Sequence, residues 1–260
     1  NDSWTISTNY VAATTVPVVL PFADDLDDLG QWDVTGSWGI DTNLNCLTDS
    51  PVGDYGNSMD TYAQSAVNLT GTVWPVLRFT DSYRFAADDY GFVEVSPNGG
   101  AWTRVYGVTG TQSNWTEWVL DLSQWKNQPN LRIRFHLITS GSGTDDGWRI
   151  DDVSVTDRGT HALPVPFYDG FEQGGSNWIE RAWLVSTNVP YAGSNLLVYG
   201  RTHVRPETYE LLNLGASADL SLSSNPKVTF RIRGIVQAYS ALLFQVSPDG
   251  GLNWANLWAV

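Results

Sequence analysis

Seven carboxylate side chains are the residues of this sequence best suited to chemistry, because they fall into three short acidic runs. They are Asp24, Asp25, Asp27, Asp151, Asp152, Asp169 and Glu172. Calcium takes roughly six to eight oxygen ligands, and carboxylates are prominent among them. Carboxylates that crowd together also repel one another unless a cation lies between them. The runs are therefore candidate ligands for a divalent cation, and the alternative is that these acids cap turns or face solvent.

Groups for catalysis are scarce. A glycosidase on a β-scaffold needs two acids placed across a cleft, and Glu94 stands alone between two valines. A hydrolytic triad needs a histidine, and His136, His161 and His203 lie in no recognisable nucleophile or metal motif. His161 falls in a linker, and the other two are expected on the surface. We therefore expect no enzymatic activity, and we assign no catalytic or cofactor-binding residues.

The net charge limits the possible binding partners, and the cysteine count limits the interactions that can hold the fold together. With 28 acidic and 14 basic residues, the chain has a formal net charge of −14. This charge repels phosphate backbones and anionic lipid, so nucleic acid and membranes are not expected partners. The sequence has no apolar run long enough to span a bilayer. A single cysteine, Cys46, cannot form an intrachain disulfide, so cohesion must come from hydrophobic packing.

Internal repetition is the strongest signal in the sequence. Residues 21–27 (PFADDLD) align with residues 166–172 (PFYDGFE), and residues 93–100 (VEVSPNGG) align with residues 244–251 (FQVSPDGG). Two shorter blocks keep the same order between them. The offset is 145 residues at the first block and 151 at the last, so one loop of the second copy is about six residues longer. The sequence therefore contains more than one copy of the same module.

The repeat also sets the predicted domains. Residues 2–6 (DSWTI) resemble residues 146–150 (DGWRI), which end the first full copy. Residues 1–20 are predicted to be the last strand of a preceding repeat with its linker, and residues 21–158 a complete module. Residues 159–165 are predicted to be a linker, and residues 166–260 a second, incomplete module. The second module lacks a counterpart of residues 102–155. We expect its missing strands to come from a longer chain or from a neighbouring copy, because unpaired strand edges would otherwise be exposed.

Alternating patterns and tight turns predict the fold. Residues 131–137 (LRIRFHL) alternate and place Arg132, Arg134 and His136 on one face, which we interpret as an ordinary solvated face. The sequence PNGG at residues 97–100 is a tight turn between antiparallel strands. A convincing helical period is absent. A module of about 138 residues with some ten short strands predicts an all-β fold of tandem, jelly-roll-like antiparallel β-sandwiches.

Several motifs resemble a known family. Residues 146–153 (DGWRIDDV) resemble the closing strand of the MAM-like or concanavalin-like jelly-roll modules of secreted bacterial proteins, and residues 22–27 and 167–172 resemble their opening motif. Residues 47–55 (LTDSPVGDY) resemble a loop of such modules beside immune-inhibitor-type metalloproteases. The resemblance implies an extracellular or cell-surface location and a calcium site between the opening and closing strands. It implies no activity, because these modules accompany proteases, glycosidases, adhesins and surface layers alike.

A further motif is structural. Residues 247–254 (SPDGGLNW) fit the Asp-box pattern, in which the aspartate caps its own turn and the tryptophan packs beneath it. The first copy departs from the pattern, with Asn98 in place of the aspartate and Trp102 one residue early. We therefore expect no catalytic role for these residues.

Two functions remain open at this stage. The repeat and the lack of catalytic groups favour an extracellular structural or adhesive repeat protein, part of a surface array or filament. Its modules would contact neighbouring repeats or copies of the same protein, stabilised by calcium. The alternative is a carbohydrate-binding accessory module of a larger secreted hydrolase, in which exposed tryptophans stack on a polysaccharide. Most of the 13 tryptophans are expected in the core.

Overall fold

The computed structural model describes residues 17–159, 162–173, 177–180, 183–188, 190, 192–199, 212–234, 236 and 240–260. Nearly all regular structure in these residues is β-strand, so the predicted all-β class is confirmed. A single 3₁₀ turn, Ser123–Trp125, is the one helical element among them, and none of their segments is a helix that could cross a membrane. The strand predicted for residues 2–6, His161 and His203 lie outside the described residues.

Two six-stranded sheets form the first module. Sheet A contains, in spatial order, β1 (Val18–Val19), β6 (Asp60–Asn68), β11 (Leu131–Ile138), β8 (Tyr90–Pro97) and β9 (Thr103–Val108), with β3 (Asp33–Val34) paired to β6. Sheet B contains β10 (Thr111–Asp121), β7 (Pro75–Arg84), β12 (Gly147–Asp157), β5 (Cys46–Thr48) and β4 (Gly39–Asp41), with β2 (Phe22–Asp24) paired to β12. Strands that are distant in the chain are thus neighbours in both sheets, as in a jelly roll.

The core lies between the inner faces of the two sheets. Alternate residues of β11, from Leu131 to Leu137, are buried there, as a strand period of two requires. The ring of Phe135 lies 5.4 Å from Phe79 and 5.5 Å from Trp148, both edge-to-face. Burial of each large apolar side chain contributes about 1.5–3 kcal/mol, and such ring contacts add roughly 0.5–1.5 kcal/mol. Aromatic packing therefore holds sheet A to sheet B.

A carboxylate also lies within this core. Asp81 of β7 is fully buried and accepts hydrogen bonds from the indole N–H groups of Trp118, at 2.7 Å, and Trp148, at 3.0 Å. The side-chain amide of Gln112 donates a third bond at 3.2 Å. These donors come from the two strands that flank β7, so the network ties the centre of sheet B together.

The hairpin predicted at residues 97–100 is present, and the aligned segment of the second copy also forms one. Between β8 and β9, Asn98 and Gly99 adopt φ of 51° and 75°, and the N–H of Gly100 donates to the carbonyl of Pro97 at 2.9 Å. Two consecutive residues with positive φ form the type I′ turn that matches the twist of antiparallel strands. In the second copy, β19 (Leu243–Val246) pairs with β20 (Ala255–Ala259).

The second copy repeats other contacts of the first. Its remaining strands are β13 (Ala162–Leu163), β14 (Trp178–Glu180), β15 (Trp183–Ser186), β16 (Leu196–Tyr199), β17 (Leu212–Leu214) and β18 (Ser217–Ala218). Val18 pairs in parallel with Val67, and Leu163 pairs in parallel with Ala218. The paired residues differ by 145 and 151 positions between the copies, which are the two offsets of the sequence repeat.

The core of the second copy is open in the described residues. Phe230 aligns with the fully buried Phe79 but is 49% exposed, and Val228 aligns with Leu77 but is 62% exposed. The predicted domain boundaries themselves stay a prediction.

Candidate functional site

The opening acids of both copies hold turns. Asp24 accepts the backbone N–H two residues later at 2.8 Å through Oδ1, and the indole N–H of Trp32 at 3.0 Å through Oδ2. Asp169 makes the same pair of bonds, at 2.8 Å to the N–H two residues later and at 2.9 Å to the indole of Trp178. The opening motif therefore forms the same capped turn in both copies. Capping a turn is the alternative to metal binding for Asp24 and Asp169.

Glu172 also binds backbone. Its Oε1 accepts the N–H groups of Ser194 at 2.8 Å and Asn195 at 3.1 Å, so it anchors a loop of the second copy.

The other acids of the first copy lie near one another. β2 pairs with β12, with Asp24 opposite Val153, and this pairing brings the opening loop to a bulge in β12 that contains Asp151. Burial raises the pKa of Asp151, and the charges of Asp152, Asp25 and Asp27 raise it further. A cation bound among these carboxylates would relieve that repulsion.

The charges of these carboxylates suit a calcium ion, but the arrangement of the side chains does not form a site for one. Asp25, Asp27, Asp151 and Asp152 are the side chains that would hold it in the first copy. Within the ranges that the structure describes, no group of three His, Cys, Asp or Glu side chains is placed to hold a metal ion. Calcium binding stays a prediction.

The outer face of sheet A carries an ionic cluster, which we call the Glu94 cluster and define as Glu94, Arg104, Arg134, His136 and Asp60. Glu94 of β8 is 4% exposed. Its carboxylate accepts Arg104 Nε at 3.0 Å and Arg134 Nη2 at 2.6 Å, and it lies 2.9 Å from His136 Nδ1. Arg104 and Arg134 lie opposite Glu94 on the two flanking strands. The register of sheet A thus assembles the cluster.

The expectation of an ordinary solvated face is wrong for His136. This residue is 5% exposed, and its Nε2 lies 2.7 Å from Asp60 while its Nδ1 faces Glu94. Both ring nitrogens of His136 thus face a carboxylate. Glu94, which looks isolated in the sequence, is likewise fully paired. A signal for this pairing was present in the sequence, because basic residues at 132, 134 and 136 lie on one face of a strand and need acidic partners there.

Ion pairing decides the protonation of Glu94. Burial by itself raises its pKa, but hydrogen bonds from His136, Arg134 and Arg104 outweigh burial and lower the pKa to about 2. A general acid of a glycosidase needs a raised pKa to hold its proton near neutral pH. Glu94 is therefore suited to bind and position cations, and it is a poor proton donor.

Aromatic rings support the two guanidinium groups. Arg104 Cζ lies 4.0 Å from the ring centroid of Phe92, and Arg134 Cζ lies 4.1 Å from that of Trp102. Cation–π contact and the shared carboxylate both restrain these side chains. The face therefore presents arginines in fixed positions.

The second copy builds the same hairpin without the charges. Gln245 aligns with Glu94, and its side-chain amide donates to Asn256 Oδ1 at 2.9 Å. Gln245 and Asn256 face each other across β19 and β20, as Glu94 and Arg104 do across β8 and β9. The hairpin therefore does not require an ionic pair at this position.

The Asp-box interpretation is confirmed. Asp249 accepts the side-chain N–H of Asn253 at 2.6 Å, its backbone N–H at 2.9 Å and the hydroxyl of Ser247 at 2.8 Å. These bonds lower the pKa of Asp249 to about 2. The indole of Trp254 donates to the carbonyl of Gly251 at 3.1 Å, so the motif closes on itself.

Contacts of the second copy lie on the outer side of sheet B. Ile179 packs against Val76 and the partly buried Val119, and the side chain of Asn213 donates to Asp121. Just beyond the 3₁₀ turn that follows β10, Lys126 Nζ donates to the carbonyl of Asp249 at 2.7 Å. The contacts of Ile179 and Asn213 are on the opposite side of the sandwich from the Glu94 cluster, so they do not occupy that face.

A small depression of about 230 Å³ also lies on sheet B. Two of its lining residues, Arg84 and Arg149, share the carboxylate of Asp146 at 3.6 Å and 3.5 Å. We regard the Glu94 cluster as the stronger candidate site, because aromatic rings also restrain its two arginines.

Fold and site together define a β-sandwich module with an arginine- and aromatic-bearing sheet face, followed by a second copy of the module. No family model matches the chain, so the MAM-like resemblance stays a prediction. Bacillopeptidase F of Bacillus subtilis (strain 168) is 31% identical over 146 residues, which is 50% of this chain and 10% of that protein.

Solved structures with a similar arrangement share little sequence with the chain. TmCBM61, solved with β-1,4-galactotriose, has 15% identity and a TM-score of 0.36, covering 51% of this chain and 92% of that one. The K1 cleaved adhesin domain of Lys-gingipain from Porphyromonas gingivalis W83 has 16% identity and a TM-score of 0.38, covering 53% and 98%. At these values neither structure bears on the ligand of this chain.

Proposed function

We propose that the first module is a non-catalytic, polysaccharide-binding module of an extracellular protein, and that the outer face of sheet A is its binding surface. The Glu94 cluster carries the proposal. It places restrained arginine donors and the exposed carboxylate of Asp60 on one sheet face, with His136 buried between Glu94 and Asp60. Hydroxyl-rich ligands need such fixed donors and acceptors. Since the second copy forms its hairpin without the charges, we infer that they serve recognition.

Two further observations support binding over catalysis and an accessory role. The low pKa of Glu94 suits a group that stays ionised. The similarity to a tenth of bacillopeptidase F is consistent with a module that belongs to a larger chain whose chemistry lies elsewhere.

Affinity electrophoresis against a panel of soluble polysaccharides tests the proposal. At least one polysaccharide should retard the unaltered protein in the gel. Trp102→Ala should abolish the retardation, because the ring of Trp102 supports the guanidinium group of Arg134. Trp115→Ala is the control, since Trp115 is 44% exposed but lies on β10 of sheet B. A panel without any retardation, or equal loss in both variants, contradicts the proposal.

A structural array is the second candidate function, favoured by the contacts of the second copy with sheet B. The packing of Ile179 against Val76 and the bond from Lys126 to Asp249 support an array in which one copy of the module contacts the next. Sedimentation and electron microscopy of the purified chain distinguish the two functions. Filaments or concentration-dependent oligomers support an array, and dispersed monomers at all concentrations contradict it.

We also propose that calcium binds the acids at the opening of the first module. Calorimetric titration of the chelator-treated chain should show heat and a rise in melting temperature. Asp27→Asn with Asp151→Asn should reduce both, while Asp88→Asn at an exposed turn should reduce neither. Absence of heat and of any thermal shift in the unaltered chain removes calcium from the proposal.

A further inference from the structure

The aromatic rings of the binding face are occupied by arginines. A guanidinium carbon lies 4.0 Å above the ring of Phe92 and 4.1 Å above that of Trp102. A neutral sugar that stacked on those ring faces would have to displace a cation that Glu94 also holds. The rings therefore act as supports for guanidinium groups, and the ligand meets the cations first.

These arginines retain donors for a ligand. Arg104 bonds Glu94 through Nε alone, whereas Arg134 uses Nε at 2.8 Å and Nη2 at 2.6 Å. Among the described residues, neither terminal nitrogen of Arg104 has a hydrogen-bond acceptor. Its side chain is 44% exposed, so these donors reach solvent. A planar pair of N–H donors matches a carboxylate in a bidentate contact.

A third arginine extends the row. Arg132 lies two residues before Arg134 on β11, which places it on the same face at a spacing of ~7 Å. Its position opposite Ser96 leaves it outside the shared carboxylate of Glu94. Three of the chain's 14 basic residues thus lie on one sheet face of a protein whose net charge is −14. Set against the carboxylates of Glu94 and Asp60, these three arginines leave an excess of positive charge on the face, which suits a polyanion.

We propose that the ligand of this face is a polysaccharide that carries carboxylates, that is, a uronic-acid-containing chain, and that Arg104 binds one of its carboxylates. This inference rests on the proposed polysaccharide-binding function. It narrows the ligand class, because a carboxylate forms a charged bidentate pair with a guanidinium group and a neutral hydroxyl does not.

Affinity electrophoresis and calorimetry with polygalacturonate, in EDTA to exclude calcium bridging, test the inference. Polygalacturonate should bind, and the same polymer after carboxyl reduction should not. Arg104→Gln should weaken binding at least about tenfold, and Arg104→Lys should give an intermediate loss because charge remains without the bidentate fork. The control is Arg78→Gln, since Arg78 is similarly exposed but pairs with Glu117 on sheet B. Melting curves verify that each variant is folded.

The outcomes separate the two proposals. Equal binding of native and carboxyl-reduced polymer overturns the uronate inference and leaves polysaccharide binding in place. If the protein binds neither polymer and no neutral polysaccharide of the panel, both the polysaccharide-binding proposal and the uronate inference are overturned. Equal binding of poly-glutamate and polygalacturonate shows that the face recognises carboxylates without regard to sugar, which overturns the assignment to a saccharide.

Discussion

Replacing Glu94 with glutamine removes the charge on which Arg104, Arg134 and His136 converge. The hydrogen bonds of the cluster lower the pKa of Glu94 from 4.5 to about 2. A shift of about 2.5 units corresponds to about 3 kcal/mol of folding stability at neutral pH. Because the folded-state pKa is depressed, this stability is present above pH 4.5 and is lost as the pH falls towards 2. Glu94→Gln should therefore lower the free energy of unfolding by about 3 kcal/mol at pH 7.

Urea denaturation followed by tryptophan fluorescence measures the effect at several pH values. The difference between the unaltered chain and Glu94→Gln should shrink by about 2 kcal/mol between pH 7 and pH 3. Glu117→Gln is the control, because its ion pair with Arg78 is exposed and should contribute less than about 1 kcal/mol. A loss below about 1 kcal/mol for Glu94→Gln, or a difference that does not change with pH, would refute the view that ion pairing dominates at this position.

Three other outcomes are expected. Burial raises the pKa of Asp49 to about 7. Because this folded-state pKa is raised, the free energy of unfolding should fall by about 3 kcal/mol between pH 5 and pH 8 as Asp49 ionises. Asp49→Asn should remove that fall, as measured by denaturation curves at several pH values. Gly147→Ala should cost well over 1 kcal/mol, measured as a drop in melting temperature, because its Cβ would clash with Asp49 Oδ1 at a φ of +83°. Gly110→Ala is the control and should cost less, because its Cβ, at a φ of +73°, would lie in open space. Cys46 is fully buried, and burial, with lesser contributions from nearby acids, raises the pKa of its thiol to about 11. A thiol reagent should therefore label Cys46 only after unfolding. Rapid labelling of the folded chain would contradict this placement.

Local patterns in the sequence predicted the strands and the hairpins. The alternation of residues 131–137 became β11, and PNGG at residues 97–100 became the type I′ turn. Each of these depends on neighbouring residues only: the period of the strand and the φ values that Asn and Gly tolerate. The repeat offsets of 145 and 151 reappeared as equivalent strand pairs for a related reason, since similar local sequences make similar elements.

Groups that depend on register were missed. Glu94 and Arg134 are 40 residues apart, and Asp81 and Trp148 are 67 apart. A strand pattern gives the side of a sheet on which a residue lies, but not its opposite partner. The same limit applies to His136, which the alternation placed correctly on the outer face and whose burial follows from carboxylates on two other strands.

The amino-acid sequence by itself thus determined that this protein is all-β, that its module occurs more than once and that its acids gather at the module's opening and closing strands. Only the tertiary structure decided that Asp24 and Asp169 cap turns and that Glu94 organises a row of arginines over aromatic rings. Periodicity and turn chemistry are properties of adjacent residues, whereas ion pairing and ring contact require strand register and burial, which arise when distant strands meet in one sheet.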